Sequence, residues 1–242
     1  MPKPIIVMGA HGGIGESLVE FLVGQGHIVY ASARNKETLN PLASKLGIQT
    51  SSVDVFDKDA VERFIEDADE GEGIKGLAYC IGSIDLKPFK TAKDDDYFKS
   101  YELNVVGAIR ALRAAEKSLK KAGGSIVLFS TIAVQQGFTN HSLISTAKGA
   151  VEGLTKALAA EWAPNVRVNC IAPSLSDTPL AKPLTSSEKM AKSIAAMHPI
   201  PRLGEANDSA SLAAFLLGEQ SEWMTGQILH VDGGRSTLRV KG

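Results

Sequence analysis

The chain has 242 residues, a formal net charge of −1 at pH 7 and 44% hydrophobic residues, which suffices for one α/β domain spanning residues 1–242 with a sizeable core. Its charges are spread along helices, so there is no basic field to gather nucleic acid or an anionic membrane, and small molecules are the expected partners. Met1-Pro2-Lys3-Pro4 leads straight into a strand and no apolar run exceeds strand length, which predicts a cytoplasmic protein without signal peptide or membrane span.

Ile5-Ile6-Val7-Met8 is an apolar run without polar alternation, the pattern of a strand buried on both faces of a parallel sheet, and Leu18, Val19 and Leu22 follow at helical spacing. Between them lies Gly9-Ala10-His11-Gly12-Gly13-Ile14-Gly15. Its glycines permit positive φ and carry no Cβ, so backbone N–H groups and the positive end of the next helix can meet a phosphate. The turn reads as a dinucleotide cradle, with a Gly9-x-x-x-Gly13-Ile14-Gly15 spacing that differs from the G-x-G-x-x-G of long dehydrogenases.

A second buried strand, Ile28 to Ala33, ends at Arg34-Asn35-Lys36. In a βαβ unit that end lies beside the adenosine ribose, where an Asp or Glu would accept from the 2′-hydroxyl and an Arg pairs with a 2′-phosphate. Ser32, Ala33 and Arg34 therefore favour NADP(H) over NAD(H), the competing reading being that Arg34 and Lys36 open a solvated helix. Leu39 to Leu46 reads as a helix and Gln49 to Val53 as the third strand, closing at Asp54-Val55; Asp54 can receive an adenine amino group or, equally, cap a helix. Residues 58–69 form an acidic amphipathic helix. The fourth strand, Gly76 to Cys80, ends at Ile81-Gly82-Ser83, where Gly82 lets backbone approach a ligand; the direction of Tyr79 depends on register.

A long helix over 94–120 contains Asn104, a poor helix former that must find partners if buried. The fifth strand, Ser125 to Phe129, delivers Ser130 and Thr131 at its carboxyl end, where an open α/β sheet places its chemistry. A helix from about His141 to Ala163 carries Lys148 in its early turns, and the sixth strand is Val166 to Ile171. The looser, proline-bearing stretch that follows suggests a substrate lid over about 175–203. Ser209 to Leu217 is the last helix and Gln227 to Val231 the last strand. Cys80 and Cys170, each inside an apolar run and without partners at metal-ligand spacing, read as reduced and buried, and no metal site is expected. Strand and helix alternate throughout, which predicts a doubly wound, mainly parallel sheet.

The glycine turn, Asp54-Val55, Asn104, Ser130, Lys148, the loop from Pro173 to Thr178 and the tail from Arg202-Leu203-Gly204 through Thr225-Gly226-Gln227 to Val231-Asp232-Gly233-Gly234 together resemble the short-chain dehydrogenase/reductase family over essentially the whole chain. The resemblance implies a Rossmann-type fold with seven strands and helices on both faces, hydride transfer with a nicotinamide cofactor, and a homodimer or homotetramer. Together with Arg34, cofactor contacts are then expected from Gly9, His11, Gly12, Gly13, Ile14, Gly15, Asp54, Val55, Cys80, Gly82, Lys148, Pro173, Leu175 and Thr178, the last bonding the carboxamide. In that family a Ser holds the substrate oxygen, a Tyr moves the proton, a Lys four residues later lowers the tyrosine's pKa and binds the ribose, and an Asn holds a water. Ser130, Lys148 and Asn104 match three of these four.

The tyrosine is absent. Ile144 stands four residues before Lys148, and the family's Asn-Asn-Ala-Gly at the fourth strand reads Tyr79-Cys80-Ile81-Gly82. On a helix, Ser145, Ile144 and His141 share the face of Lys148. His141, whose imidazole is a competent general acid, stands seven residues before the lysine, where the family's enoyl-reductase branch has its tyrosine; it is the candidate proton donor unless it only opens the helix. Ser142 and Ser145 are restricted to hydrogen bonding. Two functions follow: an NAD(P)(H)-dependent oxidoreductase acting on a small carbonyl, alcohol or conjugated acceptor with a non-standard proton donor, or a catalytically silent NADP(H)-binding sensor or subunit of an assembly.

Overall fold

The structure, a computed structural model, describes residues 3–240; the Met1-Pro2 start of the opening stretch lies outside them. Seven parallel strands form one sheet in the order β3-β2-β1-β4-β5-β6-β7. They are β1 Ile5–Met8, β2 Val29–Ala33, β3 Gln49–Ser52, β4 Gly76–Tyr79, β5 Ser125–Phe129, β6 Arg167–Pro173 and β7 Ile228–Val231. Every residue of β1, β4 and β5 is buried, as unalternated apolar runs require when both faces of a sheet are covered. β1 pairs with β2 on one side and β4 on the other, Ile5 standing opposite Val29 and Gly76. The strand order therefore changes direction between β1 and β4, which opens a crevice at their carboxyl ends.

The helices are α1 Gly13–Gly24, α2 Asn40–Leu46, α3 Lys58–Ala68, α4 Asp94–Tyr101, α5 Gly107–Ala122, α6 Ala133–Gln136, α7 Ser142–Trp162, α8 Lys182–Thr185, α9 Glu188–Ala195 and α10 Ala206–Leu217. They build a core on each face. Ile6 and Met8 join Phe64 of α3, Leu112 of α5 and Trp162 of α7, whereas Ile5 and Val7 join Leu18 and Leu22 of α1 and Leu217 of α10. Alternate residues of a single strand thus serve opposite cores, the period-two rule of a pleated strand. Among the described residues no helix is long and apolar enough to cross a membrane.

The structure corrects the sequence pattern in places and decides what it left open in others. The helix expected over 94–120 is interrupted by a π-helical turn, Glu102–Val106, whose wider backbone seats the buried Asn104. Tyr79 points out of β4 toward that turn, its hydroxyl donating to Leu103 O at 2.8 Å, so it is no part of the crevice. The cap of α3 is Asp57, which accepts from the N–H groups of Asp59 and Ala60; Asp54 does not cap it. The last helix starts at Ala206, earlier than expected, because the Asp208 carboxylate accepts the Glu205 N–H at 2.7 Å.

Candidate active site

The β1–α1 turn is shaped by what surrounds it. Gly9 has φ +83°, and a Cβ there would lie 2.8 Å from Ile81 Cγ1; one on Gly13 would lie 2.8 Å from Thr178 Cγ2, and one on Gly15 would collide with the Gly9 carbonyl oxygen. Only glycine meets all three conditions. The N–H groups of Gly9 and Ala10 donate to Ser32 O at 2.8 and 3.0 Å, which pins the turn to β2. Helix α1 then begins with Gly12 in the cap position and no side chain capping it, leaving its positive end open to an anion. His11 is exposed in the same turn. Arg34, just past β2, is exposed and in no ion pair among the described residues. Asp54 holds the Phe56 N–H at 3.0 Å, and Val55 is buried with its carbonyl accepting from Arg110 at 2.9 Å.

At the carboxyl ends of β4, β5 and β6 lies a cavity of about 410 Å³. Of the expected site residues, Ile14, Cys80, Gly82, Ser130, His141, Lys148, Pro173, Leu175 and Thr178 line it, and so does Ile144. His11, Arg34, Asp54 and Val55 stand away from it, at the ends of β1, β2 and β3. Cys80, read from its apolar run as enclosed, is half-buried on the cavity wall, whereas Cys170 is buried. Burial pushes the Cys80 thiol up to about 12.

Lys148 is 6% exposed, and its ammonium finds no hydrogen-bond partner among the described residues. Burial pushes its pKa down to about 8. A Cβ on Gly82 would lie 3.1 Å from Lys148 Nζ and 3.2 Å from Asn104 Oδ1, so these atoms flank one glycine. The Asn104 amide nitrogen donates to Ser100 O at 2.8 Å and Ser83 Oγ at 3.2 Å, while its buried Oδ1 is unpartnered among the described residues. An ammonium on the cavity wall and a buried carbonyl oxygen, both unpaired among the described residues, call for a ligand or water that accepts from one and donates to the other.

Ser130 Oγ donates to Glu152 Oε1 at 2.6 Å, so its proton is committed inside the protein. The hydroxyl of neighbouring Thr131, also on the cavity wall, accepts the Ala133 N–H at 3.3 Å and keeps its own proton free among the described residues. His141 immediately precedes α7, with Nδ1 2.8 Å from Thr139 O. A carbonyl oxygen only accepts, which assigns a proton to Nδ1 and leaves Nε2 as the exchangeable position. Ile144, buried, presents an aliphatic surface on the α7 face that carries Lys148. Ser145 donates to Ala133 O at 3.1 Å and Ser142 shares a hydrogen bond with the Tyr97 hydroxyl at 2.9 Å, so both serve to fasten α7.

Several cavity residues had no sequence signal. Phe138 and Arg235 arrive from separate segments, and Ser174 at the end of β6 is hydrogen-bonded to His198, just past α9, at 2.7 Å. Glu152 is different: it stands four residues after Lys148 on one helix face, a spacing visible in the sequence.

Known proteins share this architecture. The family model described as Enoyl-(Acyl carrier protein) reductase matches residues 9–236. A tropinone reductase homolog of Arabidopsis thaliana is 33% identical over 241 residues, covering 96% of this chain and 91% of the relative. A short-chain type dehydrogenase/reductase from Mycobacterium ulcerans superposes with a TM-score of 0.92 at 29% identity, over 98% of this chain and 90% of that one. ElxO with NADP bound superposes at 0.91 and 28% identity, over 98% and 100%. The chain, with its glycine turn, its parallel sheet and its buried lysine, belongs to the short-chain dehydrogenase/reductase family of oxidoreductases.

Proposed function

We propose that this protein is an NADP(H)-dependent oxidoreductase in which His141 stands in for the family's tyrosine, a position held here by Ile144, and that its substrate is a small carbonyl, alcohol or conjugated acceptor. The observation that carries this is the pair Lys148 Nζ and Asn104 Oδ1, unpartnered among the described residues and flanking Gly82, where Gly82, Lys148 and Ile14 of the glycine turn line one cavity. These residues fit a pyridine dinucleotide. The glycine turn and the open start of α1 would hold the diphosphate, Lys148 the nicotinamide ribose, and Thr178 the carboxamide. Arg34, beside small Ser32 and Ala33, would hold a 2′-phosphate. ElxO, a structural neighbour, has NADP bound.

When bound, the cofactor supplies or receives the hydride. Lys148 donates to the ribose and places positive charge near the reacting centre. At the Ser130–Thr131 step, the free O–H of Thr131 orients the substrate oxygen, with Ser130 locked by Glu152 behind it. Protonated on both ring nitrogens, His141 gives its Nε2 proton to that oxygen in reduction, and as the neutral ring it takes the proton back on Nε2 in oxidation, held throughout by the Nδ1–H donated to Thr139 O. Asn104 Oδ1 holds a water that reconnects the proton path to Lys148. The unit is the whole chain, 1–242, with 175–203 as a lid excluding water, working as a homodimer or homotetramer in the cytoplasm.

A silent NADP(H)-binding sensor or assembly subunit is the second reading, favoured by the aliphatic Ile144 on the face of α7 where the proton should move. Stopped-flow absorbance of protein-bound NADPH, mixed with ketones, enones, quinones and enoyl thioesters, separates the two. Loss of the reduced-nicotinamide band with any acceptor is the expected result. A cofactor that binds and stays reduced across the panel transfers the case to the second reading, and failure to bind NADP(H) overturns both.

A further inference from the structure

We infer that the substrate carries a carboxylate on an apolar body, and that Arg235 is the specificity residue that anchors it. This rests on the reading of the cavity as the substrate site. Among the described residues the cavity wall carries two basic side chains, Lys148 and Arg235, and no Asp or Glu. Most of the remainder is aliphatic or aromatic, so an uncharged hydrophobic ligand would meet one guanidinium it cannot pair with, and a cationic ligand would be repelled.

The presentation of Arg235 is built by the chain after β7. Asp232 accepts the N–H groups of Gly234 at 2.9 Å and Ser236 at 2.8 Å, and Gly233 and Gly234 take φ of +60° and +87°, which turns the backbone sharply. Asp232 is thus spent on its own loop and forms no ion pair with Arg235; no carboxylate does among the described residues. The backbone carbonyl of Arg235 accepts from Gln136 Nε2 at 2.8 Å, tying the loop to α6. The guanidinium carbon lies 4.7 Å from the centre of the Phe138 ring, and Nη2 lies 3.3 Å from Sδ of Met197 in the 175–203 segment. These are weak partners for a group with five N–H donors. The guanidinium lies over Phe138, and its N–H groups, which can match a carboxylate bidentately, find no oxygen acceptor among the described residues.

Phe138 also packs edge-on against His141 at 5.3 Å between ring centres. Arg235 therefore belongs to the His141 side of the cavity, while Lys148 belongs to the Gly82 side with Asn104. A single guanidinium balances one negative charge, which points to a carboxylate in preference to a phosphate dianion.

Isothermal titration of the full chain with octanoate and with octanamide, run with and without saturating NADP+, tests this without turnover. The two probes share length and apolar body and differ in charge. Octanoate should bind the wild type about tenfold tighter or more, the preference should vanish in Arg235→Gln, and Arg235→Lys should recover part of it. Equal affinity of the two probes for the wild type overturns the inference, whatever the variants do. A preference that survives in Arg235→Gln also overturns it, by assigning the anion to Lys148. Failure of NADP+ to bind removes the functional reading instead, and the cofactor-free arm still decides the role of Arg235.

Discussion

Replacing Lys148 with methionine should stabilise the free protein while weakening its hold on NADP(H). Lys148 is 6% exposed, its ammonium is unpaired among the described residues, and its pKa falls from the usual 10.5 to about 8. Each tenfold in acidity is ~1.36 kcal/mol, so at pH 7 the native state carries a charge that costs about 3 kcal/mol relative to the unfolded chain. Methionine has a similar length and no charge to desolvate, and most of that cost should return as stability. Because the native pKa lies below the unfolded one, the folded protein sheds its proton first. Wild-type stability contributed by this group then rises as pH climbs from about 8 toward 10.5, and the advantage of Lys148→Met shrinks to about 1 kcal/mol near pH 9.5. Urea denaturation followed by far-ultraviolet circular dichroism, at pH 7 and near pH 9.5, measures both differences. A variant no more stable than wild type at pH 7, or a gain that does not shrink at high pH, would refute the picture of a buried, unpaired charge kept for its ligand.

The same lysine gives the cofactor affinity a pH dependence: NADPH should bind most tightly below about pH 8 and progressively more weakly above it, as the free protein loses the ammonium the ribose needs; a flat titration to pH 9.5 sinks that contact. His141→Gln should slow carbonyl reduction by roughly 10²–10⁴-fold with NADPH affinity unchanged, and an undiminished rate removes His141 as the acid. Arg34→Ala should weaken NADPH binding by about tenfold and leave NADH untouched, so that an equal loss for both, by fluorescence titration, speaks against 2′-phosphate recognition. Gly15→Ala drives a Cβ into the Gly9 carbonyl, at a cost of roughly 1–3 kcal/mol in thermal unfolding; a neutral substitution would mean that the turn relaxes freely.

Much of the fold was legible because its signals are local. Ile5–Met8 lacks alternation, the glycine turn follows at once, and strand and helix then alternate, so each element is marked by residues a few positions apart. The glycine turn was legible because Gly9, Gly13 and Gly15 lie close together in the chain, although only part of what excludes a Cβ is local: Gly15 faces the Gly9 carbonyl, whereas Gly13 is kept bare by Thr178 from a distant segment. Lys148 and His141 could be placed on one side of a helix by counting, and both line the cavity.

What remained hidden depends on which segments meet. Tyr79 could be assigned to a face only once β4 was registered against β1 and β5, since a shift of one residue exchanges the two faces of a strand. That Ser130 spends its proton on Glu152, while Thr131 keeps its own, is decided by hydrogen-bond directions that no spacing encodes. The π turn at Asn104 answers a conflict between helix and burial that appears only when α5 packs on the sheet. Arg235 is the extreme case: it stands 97 residues after Phe138 and reaches the cavity through a turn held by Asp232. Propensity and hydrophobic period are properties of neighbours along the chain, and they determined the sheet and the place of the glycine turn. The unpaired ammonium of Lys148 and the orphaned Oδ1 of Asn104 arise only after distant segments have closed around them.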